Sequence, residues 1–140
     1  MKILITLVLL LSLSLALPTS LNAEQWELLF QQPETKNKFY IDKASLKREG
    51  DTVQFKEKMV YHYDDALIKG ITGKGAKILT AYTINQIAIR CGAKQYAYIQ
   101  QTEYYADNSV KSQQAMDPIF WENITPLTKA FQTKHQKLCK

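Results

Sequence analysis

The stretch that decides the fold is Ile87-Ala88-Ile89-Arg90-Cys91-Gly92-Ala93-Lys94. Its isoleucines and cysteine recur at every second position, a period typical of a β-strand that buries one face. The Gly-Ala-Lys segment then predicts a turn, after which a new strand begins at Gln95. The stretch therefore predicts an antiparallel hairpin whose first strand ends in a cysteine.

The N-terminus has the parts of an export signal. Lys2 supplies a positive charge, residues 3–17 are almost wholly apolar, and a polar segment of small residues ends at Ala23. We expect residues 1–23 to be a signal peptide and residues 24–140 to form a single domain. No cysteine near the predicted cleavage point is available to carry a lipid. The mature chain is therefore expected in the periplasm or outside the cell, without a stable membrane anchor.

The chain has two cysteines, Cys91 and Cys139. An exported protein meets oxidising conditions, in which an even number of cysteines favours structural disulfides over metal or catalytic sites. We predict that the two cysteines are joined to each other. On the chain-entropy model, such a bond stabilises the fold by about 4 kcal/mol.

Period-two patterning extends over most of residues 25–114 and predicts further antiparallel strands. Gly50 falls in a turn between two of them, at a position that favours a positive φ. Val53 and Phe55 begin an apolar row on the strand that follows this turn. Glu57 interrupts that row, which places it at a sheet edge or opposite a basic partner.

The C-terminal segment changes to a helical period. The Thr-Pro pair at residues 125–126 has the N-cap and N1 signature of a helix start. Lys134 falls close to the apolar face, and we expect its side chain to reach outward past the contact with the sheet. The apolar stripe of this predicted helix is formed by Leu127, Phe131 and Leu138. The fold class is therefore α+β: an antiparallel β-sheet of about five or six strands, with one C-terminal helix packed on it and tied by the disulfide.

The side chains that carry enzyme chemistry are mostly missing. No serine lies in a Gly-x-Ser-x-Gly elbow, and the two histidines have no evident nucleophile partner. His62, Asp64 and Asp65 form a possible metal cluster, but a strand end entering an acidic turn explains them better, because a specific site needs further ligands at a recognisable spacing. We expect a non-enzymatic protein with no cofactor and no metal.

Binding candidates remain in one loop and on one strand. The glycine-rich segment 64–77 carries Lys69, Lys74 and Lys77, and the chain has a formal net charge of +5. These lysines are the predicted contacts for an anionic partner. Tyr96, Tyr98 and Tyr104 are expected to share one strand face, where half-burial in the sheet explains them better than base stacking does. We expect no nucleic-acid partner, whereas a carbohydrate or peptide groove on that face stays open.

A series of short motifs recurs in a characteristic order along nearly the whole mature chain: Trp26, Phe39-Tyr40-Ile41-Asp42, Ser45, Gly50, Ile87-Ala88-Ile89-Arg90-Cys91, Tyr104-Tyr105, Trp121, Ile124-Thr125-Pro126 and Cys139. In this order and spacing the chain resembles the surface-adhesin protein E family of Gram-negative bacteria. The resemblance implies an antiparallel sheet with a C-terminal helix tethered by a disulfide, in agreement with the pattern above. Tyr40, Asp42 and Trp121 are interpreted as residues that form the fold.

The resemblance also implies a function. The family's founding member contacts host extracellular-matrix and plasma proteins, which implies a similar binding role for this chain. The founding member is similar to a lipid-anchored surface protein, whereas this chain has no cysteine at its predicted mature start. The alternative is a periplasmic accessory domain that binds a small ligand or an envelope protein.

Overall fold

The computed structural model describes residues 24–64 and 79–140. Their seven strands form a single sheet in the order β1-β2-β3-β4-β5-β6, with every pairing antiparallel, and β7 also pairs with β5. The strands are β1 (Trp26–Gln31), β2 (Lys38–Glu49), β3 (Thr52–Val60), β4 (Tyr82–Arg90), β5 (Gln95–Tyr104), β6 (Val110–Ala115) and β7 (Glu122–Asn123). The helix α1 spans Lys129–Leu138. The predicted signal peptide lies outside the described residues.

The pairing of β3 with β4 is regular, whereas the other long pairings of the sheet are not. β3 and β4 pair without interruption from Thr52 opposite Arg90 to Val60 opposite Tyr82. The turn between β2 and β3 has Gly50 at a φ of 57°, which confirms the predicted positive φ. The other strand pairs, apart from the short pairing of β7, each contain a shift of register. β-Bulges of this kind bend a strand and exchange the faces that its later residues occupy.

The shift in β2 lies at Asp42, a residue that the sequence marked as part of the fold. Asp42 Oδ1 accepts a hydrogen bond from Ala44 N at 3.1 Å, and Ser45 Oγ donates to the Asp42 carbonyl at 2.6 Å. Ser45 Oγ also accepts a bond from Lys56 N at 2.8 Å. These bonds satisfy backbone groups that lose their ladder partners, so β2 continues through the bulge to Glu49.

The core lies between α1 and one face of the sheet. Phe55, Ile87 and Ile89 are almost fully buried on that face, and Phe131 and Leu138 of α1 pack in the same cluster. The ring of Phe131 stacks on Tyr96, with 3.5 Å between the ring centroids. This packing confirms the predicted α+β class, in which a C-terminal helix covers an antiparallel sheet.

The predicted disulfide is present. Cys91, just after β4, is bonded to Cys139, just after α1, with 5.5 Å between their Cα atoms, a normal spacing for such a bond. His135 Nε2 also lies 2.8 Å from the Cys91 carbonyl oxygen, and Arg48 Nη2 donates to the Leu138 carbonyl oxygen at 2.6 Å. The end of the helix is therefore fixed by one covalent bond and two hydrogen bonds.

The hairpin tips at this end of the sheet are joined by Asp51. Its carboxylate accepts hydrogen bonds from Gly92 N at 3.0 and 2.8 Å, and its carbonyl accepts one from Cys91 N at 2.9 Å. A Cβ atom on Gly92 would lie 3.0 Å from Asp51 Oδ2. The close approach explains why a glycine follows the cysteine.

The predicted start of the helix is wrong. α1 begins at Lys129 with Thr128 as its N-cap, rather than at the Thr-Pro pair. The Thr125 hydroxyl accepts a bond from Leu127 N, and the Thr128 hydroxyl binds both the amide and the carbonyl of Thr125. These bonds form a separate turn before the helix, and Leu127 is 93 % exposed instead of joining the apolar stripe.

Within residues 24–64 and 79–140, no helix is both long and apolar enough to cross a membrane.

Candidate binding face and buried polar cluster

The face of the sheet that points away from α1 carries a shallow groove. It consists of two adjoining cavities of about 350 and 260 Å³, which share Glu24, Lys56 and Gln86 as lining residues. Lys56 pairs with Gln86 across β3 and β4, and strand alternation places both opposite the face that holds Phe55 and Ile87. The groove therefore crosses the middle of the sheet on its solvent side.

The lining of this groove is mainly uncharged and polar. Lys56 Nζ lies 3.3 Å from Glu24 Oε1, so the central lysine has a carboxylate partner. The other polar groups of the groove include amides and hydroxyls from four strands and from the β2 bulge: Ser45, Gln54, Gln86, Gln100, Thr102, Tyr104 and Gln113. Such groups form hydrogen bonds to the backbone or side chains of an extended ligand.

Two tyrosines border the groove. The rings of Tyr82 and Tyr104 stack with 4.7 Å between centroids, and Lys58 Nζ lies 4.4 Å from the Tyr82 centroid. The expectation that Tyr96, Tyr98 and Tyr104 share one face is wrong. The β5 register shifts between Tyr98 and Gln100, so Tyr104 pairs with Tyr82 on the open face, whereas Tyr96 and Tyr98 lie under α1.

Strand β6 forms one edge of the sheet, and all six of its residues are exposed. Met116 N donates to the Ile99 carbonyl at 2.9 Å, which places that amide on the β5 side. Because amides alternate in direction along an antiparallel strand, those of Ala115 and Gln113 point to the outer side. No strand in the described part of the chain pairs with this outer side.

A cluster of buried polar residues lies on the opposite face, under α1. Lys134 Nζ is 2.5 Å from Glu57 Oε2, and each side chain is only 1 % exposed. Asn85, directly opposite Glu57 in the β3–β4 register, donates from Nδ2 to Glu57 Oε1 at 3.4 Å and to Thr83 Oγ1 at 3.3 Å. Asn85 Oδ1 has no hydrogen-bond partner among the described residues.

Aromatic rings enclose this cluster. Lys134 Nζ lies 4.8 Å from the Phe39 centroid and 4.1 Å from the Phe131 centroid, within the range of cation–π contacts. Burial raises the pKa of the Tyr98 phenol far above its ordinary value, and the negative charge of Glu57 raises it further. The rings shield the cluster from water.

The direction of the Lys134 side chain also differs from the expectation from the sequence. Its side chain does not reach outward past the sheet but points inward, because Glu57 supplies a buried opposite charge. The sequence marks each residue separately, as an interruption of an apolar row on β3 and of an apolar stripe on α1. The signal for an ion pair was that one face carries a negative charge, the other carries a positive charge, and the two faces pack together. For Asn85, the signal was its position on the same strand face as Ile87 and Ile89.

The predicted lysine contacts, Lys69, Lys74 and Lys77, lie outside the described residues. At the start of the same segment, His62 Nε2 lies 3.5 Å from Asp64 Oδ1, with both side chains well exposed. No group of three or more metal-ligating side chains occurs in the described part of the chain. Trp121 stacks against Arg90, whose guanidinium carbon lies 3.8 Å from the ring centroid, in keeping with a role in the fold.

A family model described as surface-adhesin protein E matches residues 26–140, which include every described strand and the helix. No curated protein matches the chain.

Proposed function

Because the chain belongs to the surface-adhesin protein E family, we propose that it is an exported, non-enzymatic binding domain that contacts host extracellular-matrix or plasma proteins. The family supports an adhesin-like role in general terms. The identity of the partner and the surface that meets it are our proposal, together with cleavage of the signal peptide after Ala23.

The observation that carries this proposal is the free edge of β6. Its outward amides at Gln113 and Ala115 are available to pair with an extended segment of another protein, the mode of recognition known as β-strand addition. The main-chain bonds of such an added strand supply affinity, and pockets for alternate side chains supply specificity. Gln113 also lines the groove of the open face, so alternate side chains of the added segment would contact it.

The glycine-rich segment 64–77, called the basic segment from here on because of its three lysines, supplies a second, electrostatic contact. Lys69, Lys74 and Lys77 lie in the chain between β3 and β4. Removal of residues 1–23, which contain Lys2, lowers the formal net charge from +5 to +4, and this positive charge favours acidic partner surfaces. Charges of this kind increase the rate of association more than they increase the final affinity.

A small ligand between sheet and helix has less support as an alternative. Phe55, Ile87 and Ile89 are at most 1 % exposed, and Phe131 and Leu138 of α1 are 7 % exposed, so side chains fill that junction. An envelope protein that adds a strand at the same β6 edge is the remaining alternative.

The experiment compares two substitutions at one edge position. Ala115→Pro removes the outward amide but leaves the bonds to β5 intact, because proline is tolerated on an edge strand whose amide faces solvent. Ala115→Ser is the matched control that keeps the amide. Binding to a panel of purified matrix and plasma proteins is measured by surface plasmon resonance, with an envelope extract as a parallel arm.

We expect the proline variant to lose at least about tenfold in affinity, about 1.4 kcal/mol. The serine variant should bind like the unchanged protein. A folded proline variant that binds with full affinity contradicts the β6 edge as the contact. Failure to bind any matrix or plasma protein contradicts the host partner, and binding only from the envelope extract supports the alternative.

A further inference from the structure

The buried cluster under α1 brings together an amine, an amide and a carboxylate from three different elements. Lys134 comes from α1, Asn85 from β4 and Glu57 from β3, and all three are at most 2 % exposed. We propose that Lys134 and Asn85 form an intramolecular isopeptide bond, with Glu57 transferring the protons. This proposal rests on the buried geometry and is independent of the proposed binding function.

Glu57 is placed to generate the nucleophile. A neutral amine attacks a carbonyl carbon, whereas an ammonium does not. Transfer of one proton from Lys134 Nζ to Glu57 Oε2, across 2.5 Å, converts the charged pair into an amine and a carboxylic acid. The exchange leaves the net charge of the cluster unchanged, and two neutral groups lose less hydration energy in an apolar site than two charged ones.

Asn85 supplies the electrophile. Its Oδ1 is buried without a partner, while its Nδ2 faces the oxygens of Glu57 and Thr83. A half-turn of the amide group places the oxygen against the same two partners, which then act as donors, namely the protonated Glu57 and the Thr83 hydroxyl. In that orientation both donors polarise the carbonyl and stabilise the negative charge that develops on its oxygen during attack.

The step balances without any other reactant. Lys134 Nζ begins as an ammonium and loses two protons through Glu57 as it bonds to Asn85 Cγ. Both protons pass to Nδ2, the bond from Cγ to Nδ2 breaks, and ammonia leaves as an ammonium ion. The product is a secondary amide between the two side chains, with Glu57 returned to its initial state. The flexible four-carbon stem of lysine allows Nζ to move from the carboxylate to the adjacent amide carbon.

The surroundings favour this reaction over hydrolysis. The Phe39 and Phe131 rings cover Lys134 Nζ, and Thr83 beneath the cluster is fully buried. Exclusion of water protects a reactive intermediate and strengthens the electrostatic contacts around it. The finished bond would tie the middle of α1 to β4, in addition to the disulfide at the end of the helix.

The test is the intact mass of the exported, full-length mature protein, measured after the disulfide is reduced. Release of ammonia lowers the mass by about 17 Da relative to the sequence. Fragmentation of a protease digest should then recover one branched peptide in which Lys134 is joined to Asn85. Glu57→Gln and Lys134→Arg should both have the full sequence mass, and Glu27→Gln, a change on the exposed end of the sheet, should keep the deficit.

Three results overturn the proposal. One is a folded wild-type protein with its full sequence mass. Another is a deficit that persists in Lys134→Arg, because the loss then arises elsewhere in the chain. The third is a deficit that persists in Glu57→Gln, which contradicts the role of the carboxylate; circular dichroism shows whether each variant is folded.

Discussion

Lys134 Nζ lies 2.5 Å from Glu57 Oε2 beneath the helix, and the two side chains are equally buried. The pair joins α1 to β3 across a core that otherwise consists largely of aliphatic and aromatic side chains. An ion pair in such a place contributes little net stability by comparison with apolar packing, but loss of one partner leaves an uncompensated buried charge. The pair therefore makes the docking of α1 sensitive to single substitutions at either residue.

Glu57→Gln should destabilise the protein by about 3–5 kcal/mol, because it leaves Lys134 buried without its counter-charge. Urea unfolding monitored by fluorescence measures the loss. The matched control is Glu27→Gln, which breaks the exposed pair between Glu27 and Lys43 and should change stability by less than about 1 kcal/mol. Similar losses in both variants would show that the buried pair is not a strong constraint on the fold.

Replacement of Cys91 and Cys139 together by serine should lower the free energy of unfolding by about 4 kcal/mol, since a loop of 48 residues is no longer closed in the unfolded chain. Reduction of the unchanged protein should give the same loss. Alkylation of the exported form without reductant should label no thiol. Labelled sulfur in that sample would mean that the bond does not form on export.

Stability should fall as the pH rises from 10 to about 12, because burial and the hydrogen bond to Glu122 raise the pKa of Tyr96 to about 12 from its ordinary value of 10. In this interval the unfolded phenol loses its proton more readily than the folded one, so deprotonation favours unfolding. Burial raises the pKa of Tyr98 as well, so that residue contributes in the same direction.

Tyr96→Phe isolates the contribution of Tyr96 to the dependence of stability on pH. The variant removes the bond from Tyr96 Oη to Glu122 Oε2, which is 2.7 Å long, and should cost about 1 kcal/mol at neutral pH. Its stability should then decline less steeply above pH 10 than that of the unchanged protein. Parallel curves of unfolding free energy against pH would contradict this assignment.

If the proposed function holds, replacement of Lys69, Lys74 and Lys77 by glutamine should slow association with the matrix or plasma protein that the unchanged chain binds, and should reduce the dependence of that rate on salt. Salt screens interactions between exposed charges beyond about 10 Å at 0.1 M. Lys43→Gln serves as the control, because this lysine is paired with Glu27. Unchanged rates and salt dependence in the triple variant would exclude the basic segment from the interface.

Much of the sheet could be predicted because strand periodicity is local. The hairpin around Cys91, the glycine turn at Gly50 and the strands that became β3 to β6 all follow from alternation and turn residues. The pairing of the cysteines could be predicted because only one intramolecular pair is possible. The two-residue strand β7 is too short to produce a pattern.

The errors came from interactions between elements. The start of α1 depends on hydrogen bonds among Thr125, Leu127 and Thr128, which compete with a helical turn. The face of Tyr104 depends on the bulge between Tyr98 and Gln100 in β5, and a shift of one residue exchanges the faces of a strand. The inward direction of Lys134 depends on Glu57, 77 positions earlier in the numbering, where no local pattern reveals it.

The contact between Asp51 and the turn after Cys91 has a consequence for oxidation of the newly exported chain. Asp51 joins the tip of the β2–β3 hairpin to the tip of the β4–β5 hairpin. The Cys91 sulfur faces α1 only when these two hairpins are in register, since a slip of one residue turns the thiol to the other side of the sheet. In a chain misaligned by one residue, the Cys91 thiol would point away from Cys139. The geometry that the bond needs, with the two cysteines facing each other, therefore depends on the register that Asp51 fixes.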